Sequence, residues 1–150
     1  MKDALLLTFS VLLFLAACKK EAPLPITDEP AIALLSINKT SIQEFSDSLV
    51  FTISYRHGDG DLGIDNADST VIEVVDNRDP ANLVFGYHLS PRAPNGTTLT
   101  VQGELSVVLK NVIILNSTAT SESTTFSIRI KDRAQHWSNA VETETITISK

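Results

Sequence analysis

Ser48-Leu49-Val50-Phe51-Thr52-Ile53-Ser54-Tyr55-Arg56 alternates between two chemistries. Leu49, Phe51, Ile53 and Tyr55 fall on one side, and Ser48, Thr52, Ser54 and Arg56 on the other. A period of two marks a half-buried strand, because successive side chains of extended backbone point to opposite faces. The same reading extends outward along the chain. Leu83, Phe85, Tyr87 and Leu89 align. Phe126, Ile128 and Ile130 form an inward row, with Ser127, Arg129 and Lys131 outward. Thr70–Asp76 is apolar on both sides, as a covered central strand would be. From Ala31 onward no helical period competes.

Two places break the alternation. Leu105, Val107 and Leu109 are odd-numbered, whereas Val112 and Ile114 are even, so one extra residue is expected near Lys110-Asn111 as a bulge or bend. Ile146 and Ile148 share parity with Glu142 and Glu144 while Val141 lies opposite. That segment either changes partner midway or begins as a solvated edge. Turn chemistry separates the runs, in His57-Gly58-Asp59-Gly60-Asp61, Asn77-Arg78-Asp79-Pro80, Pro91–Gly96 and Asn116-Ser117-Thr118. About seven strands in roughly 120 residues predict an all-β, immunoglobulin- or fibronectin-like antiparallel β-sandwich. No cysteine pair bridges the sheets and Trp137 falls in a loop, which argues against the antibody subclass.

The N-terminal end reads differently. Ala4 to Ala17 are almost wholly apolar, too short a run for a comfortable membrane span and suited to a secretory signal. The run closes on Leu15-Ala16-Ala17-Cys18, and Cys18 is the only cysteine of the 150 residues. This resembles the bacterial lipobox, which implies that Cys18 is acylated and becomes the mature N-terminus. Several acyl chains anchor strongly, at about 0.8 kcal/mol per buried methylene. The expected organisation is a signal peptide at 1–17, a lipidated Cys and flexible tether at 18–30, and one sandwich domain at 31–150. Residues 19–30 carry three prolines and five charges, and twelve extended residues reach roughly 40 Å. Position 19 is Lys rather than the Asp that retains enterobacterial lipoproteins at the inner membrane. The expected address is therefore the outer membrane, on its periplasmic or cell-surface side. A net charge of -6 argues against nucleic acid as partner.

Phe51-Thr-Ile-Ser-Tyr55 followed by Gly58-Asp-Gly-Asp-Leu-Gly63 resembles the strand and "DGDGDLG" loop of small, uncharacterised Bacteroidota lipoproteins. Ile130-Lys-Asp-Arg-Ala-Gln-His-Trp-Ser-Asn139, with Val141-Glu-Thr143, is similar to a second run in that family. Two positions depart from it. His57 stands where the family often has Asp, and Gln135 where it often has Gly.

Asp59, Asp61, Asp65 and Asp68 lie among three glycines between His57 and Asp68. Flexible acidic loops supply the oxygen ligands that Ca²⁺ wants. In an immunoglobulin-like sandwich the loop after the sixth strand emerges at the same end, which would bring in Asp132. A Ca²⁺ site from Asp59, Asp61 and Asp132, with Asp65 as a further ligand, is one expectation. The other is a metal-free arrangement in which Asp and Gly form turns, and Arg56 or Arg133 pairs with the carboxylates. His57 with Asp59 and Asp61 is a poor zinc signature. His136 and Trp137 form a candidate recognition surface, and Ser69 and Ser48 fit a loose O-glycosylation pattern. The expected function is a non-catalytic, membrane-anchored binding or structural module with a protein or glycan partner. An accessory carbohydrate-binding module and a hydrolase are the alternatives. No Gly-x-Ser-x-Gly elbow supports the latter.

Overall fold

The structure is a computed structural model that describes residues 22–79, 81 and 83–150. Cys18 and the signal segment lie outside the described residues. The described chain is all-β, with ten strands. These are β1 (Ala31–Ile37), β2 (Ser41–Gln43), β3 (Ser48–His57), β4 (Ile72–Asp76), β5 (Val84–Tyr87), β6 (Val101–Lys110), β7 (Ser121–Thr124), β8 (Phe126–Ile130), β9 (Val141–Glu142) and β10 (Ile146–Ser149). They form three sheets, ordered β1-β3-β6, β5-β4-β8-β9 and β2-β10-β7. All pairings are antiparallel except β2 with β10.

The alternating run Ser48–Arg56 lies in β3, the longest-paired strand of the fold. Every residue of β3 is in register with β6, from Ser48 opposite Lys110 to His57 opposite Val101. Its inward row of Leu49, Phe51, Ile53 and Tyr55 is buried, and so is the row Phe126, Ile128 and Ile130 of β8. The two rows meet where the rings of Phe51 and Phe126 stand 5.6 Å apart at 51°. One apolar core thus receives side chains from all three sheets, as a β-sandwich requires.

Both breaks in alternation have a physical cause. β6 ends at Lys110, and Asn111 adopts a positive φ of 59°. Asn tolerates this left-handed backbone better than most residues. The bend re-aims the chain, so Val112 and Ile114 are buried again with the opposite parity. The last segment changes partner. β9 pairs with β8, whereas β10 pairs with β2 and β7. β4 is central in its sheet, between β5 and β8, but its outward residues Glu73 and Val75 are only half-buried. Asn139 adds a cross-fold tie by imitating a strand. Its side chain accepts from Ile32 N and donates to Ile32 O, each at 2.9 Å.

The described part of the expected tether is held against the domain. Gly58 N donates to Thr27 O at 2.8 Å and Arg56 Nη1 to Leu24 O at 2.9 Å. A Cβ at Gly58 would come within 2.7 Å of Thr27 O, so the bare glycine lets this strap approach. Prolines that forbid an element of its own do not prevent a segment from docking on existing backbone groups.

Candidate functional site

β3 runs one residue beyond the expected strand, and His57 continues its inward row. The imidazole is fully buried. Its Nε2 contacts the carboxylates of Asp59 and Asp61, the latter at 2.7 Å. Asp61 N also donates to Asp59 Oδ1 at 3.2 Å. These three side chains each bring one ligand atom within 4.8 Å of the others, a group able to hold a metal ion.

The loop after β8 closes over this group. Leu62 and Asp132 form an isolated antiparallel bridge. Arg133 N donates to Asp61 O at 3.2 Å, and Ala134 N donates to Asp61 Oδ2 at 3.1 Å. The two acidic segments therefore do come together, more than 70 residues apart in sequence.

The carboxylates are nevertheless not pooled as expected. Asp132 is buried and turns inward on its own loop, where Oδ1 accepts from His136 N at 2.7 Å and Oδ2 faces His136 Nδ1 at 3.1 Å. Asp65 is exposed and accepts from Asn95 Nδ2 at 2.9 Å. Neither belongs to the His57–Asp59–Asp61 group. The physical reason is parity. Asp132 follows Ile128 and Ile130 on the inward row of β8, so its side chain enters the domain rather than the acidic loop.

The cations expected to stitch the loops act on carbonyls instead. Arg133 donates to Gly63 O at 3.2 Å and Gly60 O at 3.4 Å. Arg56 reaches Leu24 O, while its Nε is buried without a partner among the described residues. The group that bridges the carboxylates is His57. Gln135, in the loop after β8, carries backbone strain. It has φ = 74°, a conformation that costs a side-chain-bearing residue more than it costs glycine.

Trp137 pairs with Lys131 in an isolated bridge and lies half-buried. Arg129 stands 4.0 Å from its ring centroid and Lys131 5.1 Å. Arg129 is itself paired with Glu73 at 2.7 Å. The indole is thus covered by cations on the outward side of β8, while neighbouring His136 is half-exposed. Ser69 sits half-buried in a turn, its N donating to Asn66 O at 3.0 Å. Ser48 is half-buried in the sheet, opposite Lys110. His88 lies apart from the acidic group, with Nδ1 3.3 Å from Ser69 O.

The sequence reading missed one buried network, at the end of β4. Arg78 holds Asp76 and Glu122 together, and Thr124 Oγ1 donates to Asp76 Oδ1 at 2.6 Å. The signal was available, since Asp76 shares the inward parity of Ile72 and Val74 and so needs a buried partner. No family model, curated protein or solved structure matches the chain.

Proposed function

We propose that the chain is a lipid-anchored, non-catalytic binding or structural module of the bacterial outer membrane, carrying one immunoglobulin-like domain. The strand orders β1-β3-β6 and β5-β4-β8-β9 support that fold, because they follow the A-B-E and C′-C-F-G arrangement of such domains. One observation carries the non-catalytic reading. The chemically capable side chains of the acidic loops are spent on holding the loops together: His57 on two carboxylates, Asp61 on Ala134 N, and Asp132 on His136. The partner is a protein or glycan that meets this pole.

The anchor is Cys18, and the docked strap sharpens its consequence. Only residues 19–23 separate Cys18 from Leu24, a reach of no more than roughly 20 Å. The domain is therefore kept close to the bilayer instead of standing about 40 Å off. Cells fed radiolabelled palmitate provide the test. The wild-type chain is expected to be labelled and to sediment with membranes, whereas Cys18→Ala loses both properties. Label retained by the variant, or absent from the wild type, overturns the anchor.

Convergence of three ligand atoms within 4.8 Å favours a second reading, a Ca²⁺ ion at His57, Asp59 and Asp61. The imidazole weighs against it. A metal-bound histidine normally donates its other ring N–H, yet Nδ1 of His57 is buried without a partner among the described residues. Melting curves in several millimolar CaCl₂ and in EDTA are expected to superimpose. A rise in Tm of several degrees with Ca²⁺ replaces the stitched loop with the metal site.

A further inference from the structure

β6 ends the sheet order β1-β3-β6, so among the described residues its far edge has no neighbouring strand. The direction of its backbone groups follows from β3. Val50 N and O bond to Asn38, and Ser48 O accepts from the Asn38 side chain, all on the β1 side. Even-numbered residues of β3 therefore aim at β1, and odd-numbered ones at β6. By the antiparallel register, the odd residues of β6 face β3. Gln102, Glu104, Ser106, Val108 and Lys110 are left with their amides and carbonyls on the open edge. Natural sheets keep such edges short or block them with proline, bulges or excess charge. This one is ten residues long and carries one Glu and one Lys. Beside it opens a cavity of about 480 Å³ floored by Ile72, Leu89, Leu105 and Val107, and Val108 is 40% exposed.

We infer that the β6 edge pairs with the β6 edge of a second copy of this chain, antiparallel about a two-fold axis at Val107. The charges select this register. Residue numbers across the axis must sum to 214, which places Glu104 opposite Lys110 of the second copy, twice by symmetry. Ser106 then faces Val108. All four are even-numbered, so the open amides and carbonyls meet in hydrogen-bonded pairs. The odd residues Leu105, Val107 and Leu109 meet Leu109, Val107 and Leu105 on the inner side, extending the core across the axis beside the cavity. A net charge of -6 opposes dimerisation in general, but the β6 stretch itself is neutral. The same register shifted by two residues in either direction sets Glu104 against Val108 or Val112 and forfeits both ion pairs.

Sedimentation equilibrium of the full chain in density-matched detergent tests the proposal. A concentration-dependent dimer is expected. Glu104→Lys and Lys110→Glu, each placing like charges face to face at two symmetric positions, are expected to weaken it about tenfold. The double variant E104K/K110E exchanges the charges and is expected to restore wild-type association. Val107→Cys at the axis is expected to give a disulfide-linked dimer in the E104K/K110E and wild-type backgrounds, and little in either single variant. Both charged positions are exposed, so circular dichroism is expected to show all variants folded. A chain that stays monomeric at high concentration overturns the inference, as does a dimer indifferent to the single reversals. So does an edge that captures only an unrelated extended peptide.

Discussion

Gly63→Ala is expected to cost the domain about 3 kcal/mol or more, while Gly96→Ala costs about 1 kcal/mol. Both glycines have positive φ, 85° at Gly63 and 77° at Gly96, so both substitutions bear the left-handed penalty. They differ in what a Cβ would meet. At Gly96 nothing lies within 4 Å. At Gly63 the new carbon would stand 2.3 Å from Ser90 O, 2.7 Å from Ser90 C and 2.9 Å from Pro91 Cα. All three are backbone atoms, and the backbone there is tied on both sides. Ile64 N donates to Leu89 O at 2.8 Å, and Arg92 N donates to Leu62 O at 2.9 Å. Relief of the clash must break one of these bonds or lift Leu62, which is fully buried. Gly63 O also receives Arg133, so the displacement spreads to the loop after β8. Urea denaturation of the two variants reads the difference, and a Tm lowered by roughly 10 °C is expected for Gly63→Ala. Equal losses at the two positions would show that steric contact with Ser90 carries none of the cost.

The architecture was legible because parity survives folding. The inward rows of β3 and β8 are buried as their alternation requires, and even the two breaks in parity mark a bend at Asn111 and a partner change before Ile146. The candidate site was legible only in part, and the reason is visible in three rows. Tyr55 is followed on its inward row by His57, Ile130 by Asp132, and Val74 by Asp76. Each row ends in a buried polar side chain, and burial obliges each to find a partner. Alternation alone announces that obligation but not the partner. For Asp132 the partner is four residues away, and for Asp76 it is two. For the acidic loop it includes Ala134 N, whose proximity to Asp61 arises only when β4, β8 and the connections between them are in place. Composition marked the loop as acidic. It could not say which backbone amides and which imidazole would lie against the carboxylates. The strap was illegible for a similar reason, since its hydrogen bonds are made by carbonyls that every residue possesses.

Arg78→Ala is expected to be the most damaging side-chain substitution outside the apolar core, at about 3–5 kcal/mol at neutral pH. Asp76 has a side chain only 2% exposed, and Arg78 only 12%. The guanidinium donates to Asp76 through Nε, at 3.1 Å to each oxygen, and through Nη2 at 2.5 Å. Its Nη1 reaches Glu122 at 2.5 Å and Ile113 O at 2.9 Å. Glu122 in turn accepts from Leu115 N and Asn116 N. One cation therefore ties the end of β4 to β7 and to the chain beyond β6. Burial pushes the Asp76 carboxyl up, but the hydrogen bonds from Arg78 and Thr124 outweigh it and hold the group below its ordinary value of 3.8. A carboxylate depressed in the folded state adds stability above its unfolded pKa and loses it as pH falls through the folded value. The wild-type domain is thus expected to hold a constant Tm from about pH 7 to 5 and to weaken below about pH 4. Removing Arg78 reverses the balance, because desolvation then acts on Asp76 without the opposing cation. The variant carboxyl titrates above its ordinary value, and protonation relieves the buried charge. The difference between wild type and Arg78→Ala is therefore expected to shrink from pH 7 to pH 4, as both proteins are melted across that range. A difference independent of pH would mean that the loss comes from packing and from the Ile113 bond, not from an orphaned carboxylate. Asp76→Asn on the Arg78→Ala background separates the two contributions. It recovers stability at neutral pH if the buried charge is the cause, and none if the missing side chain is.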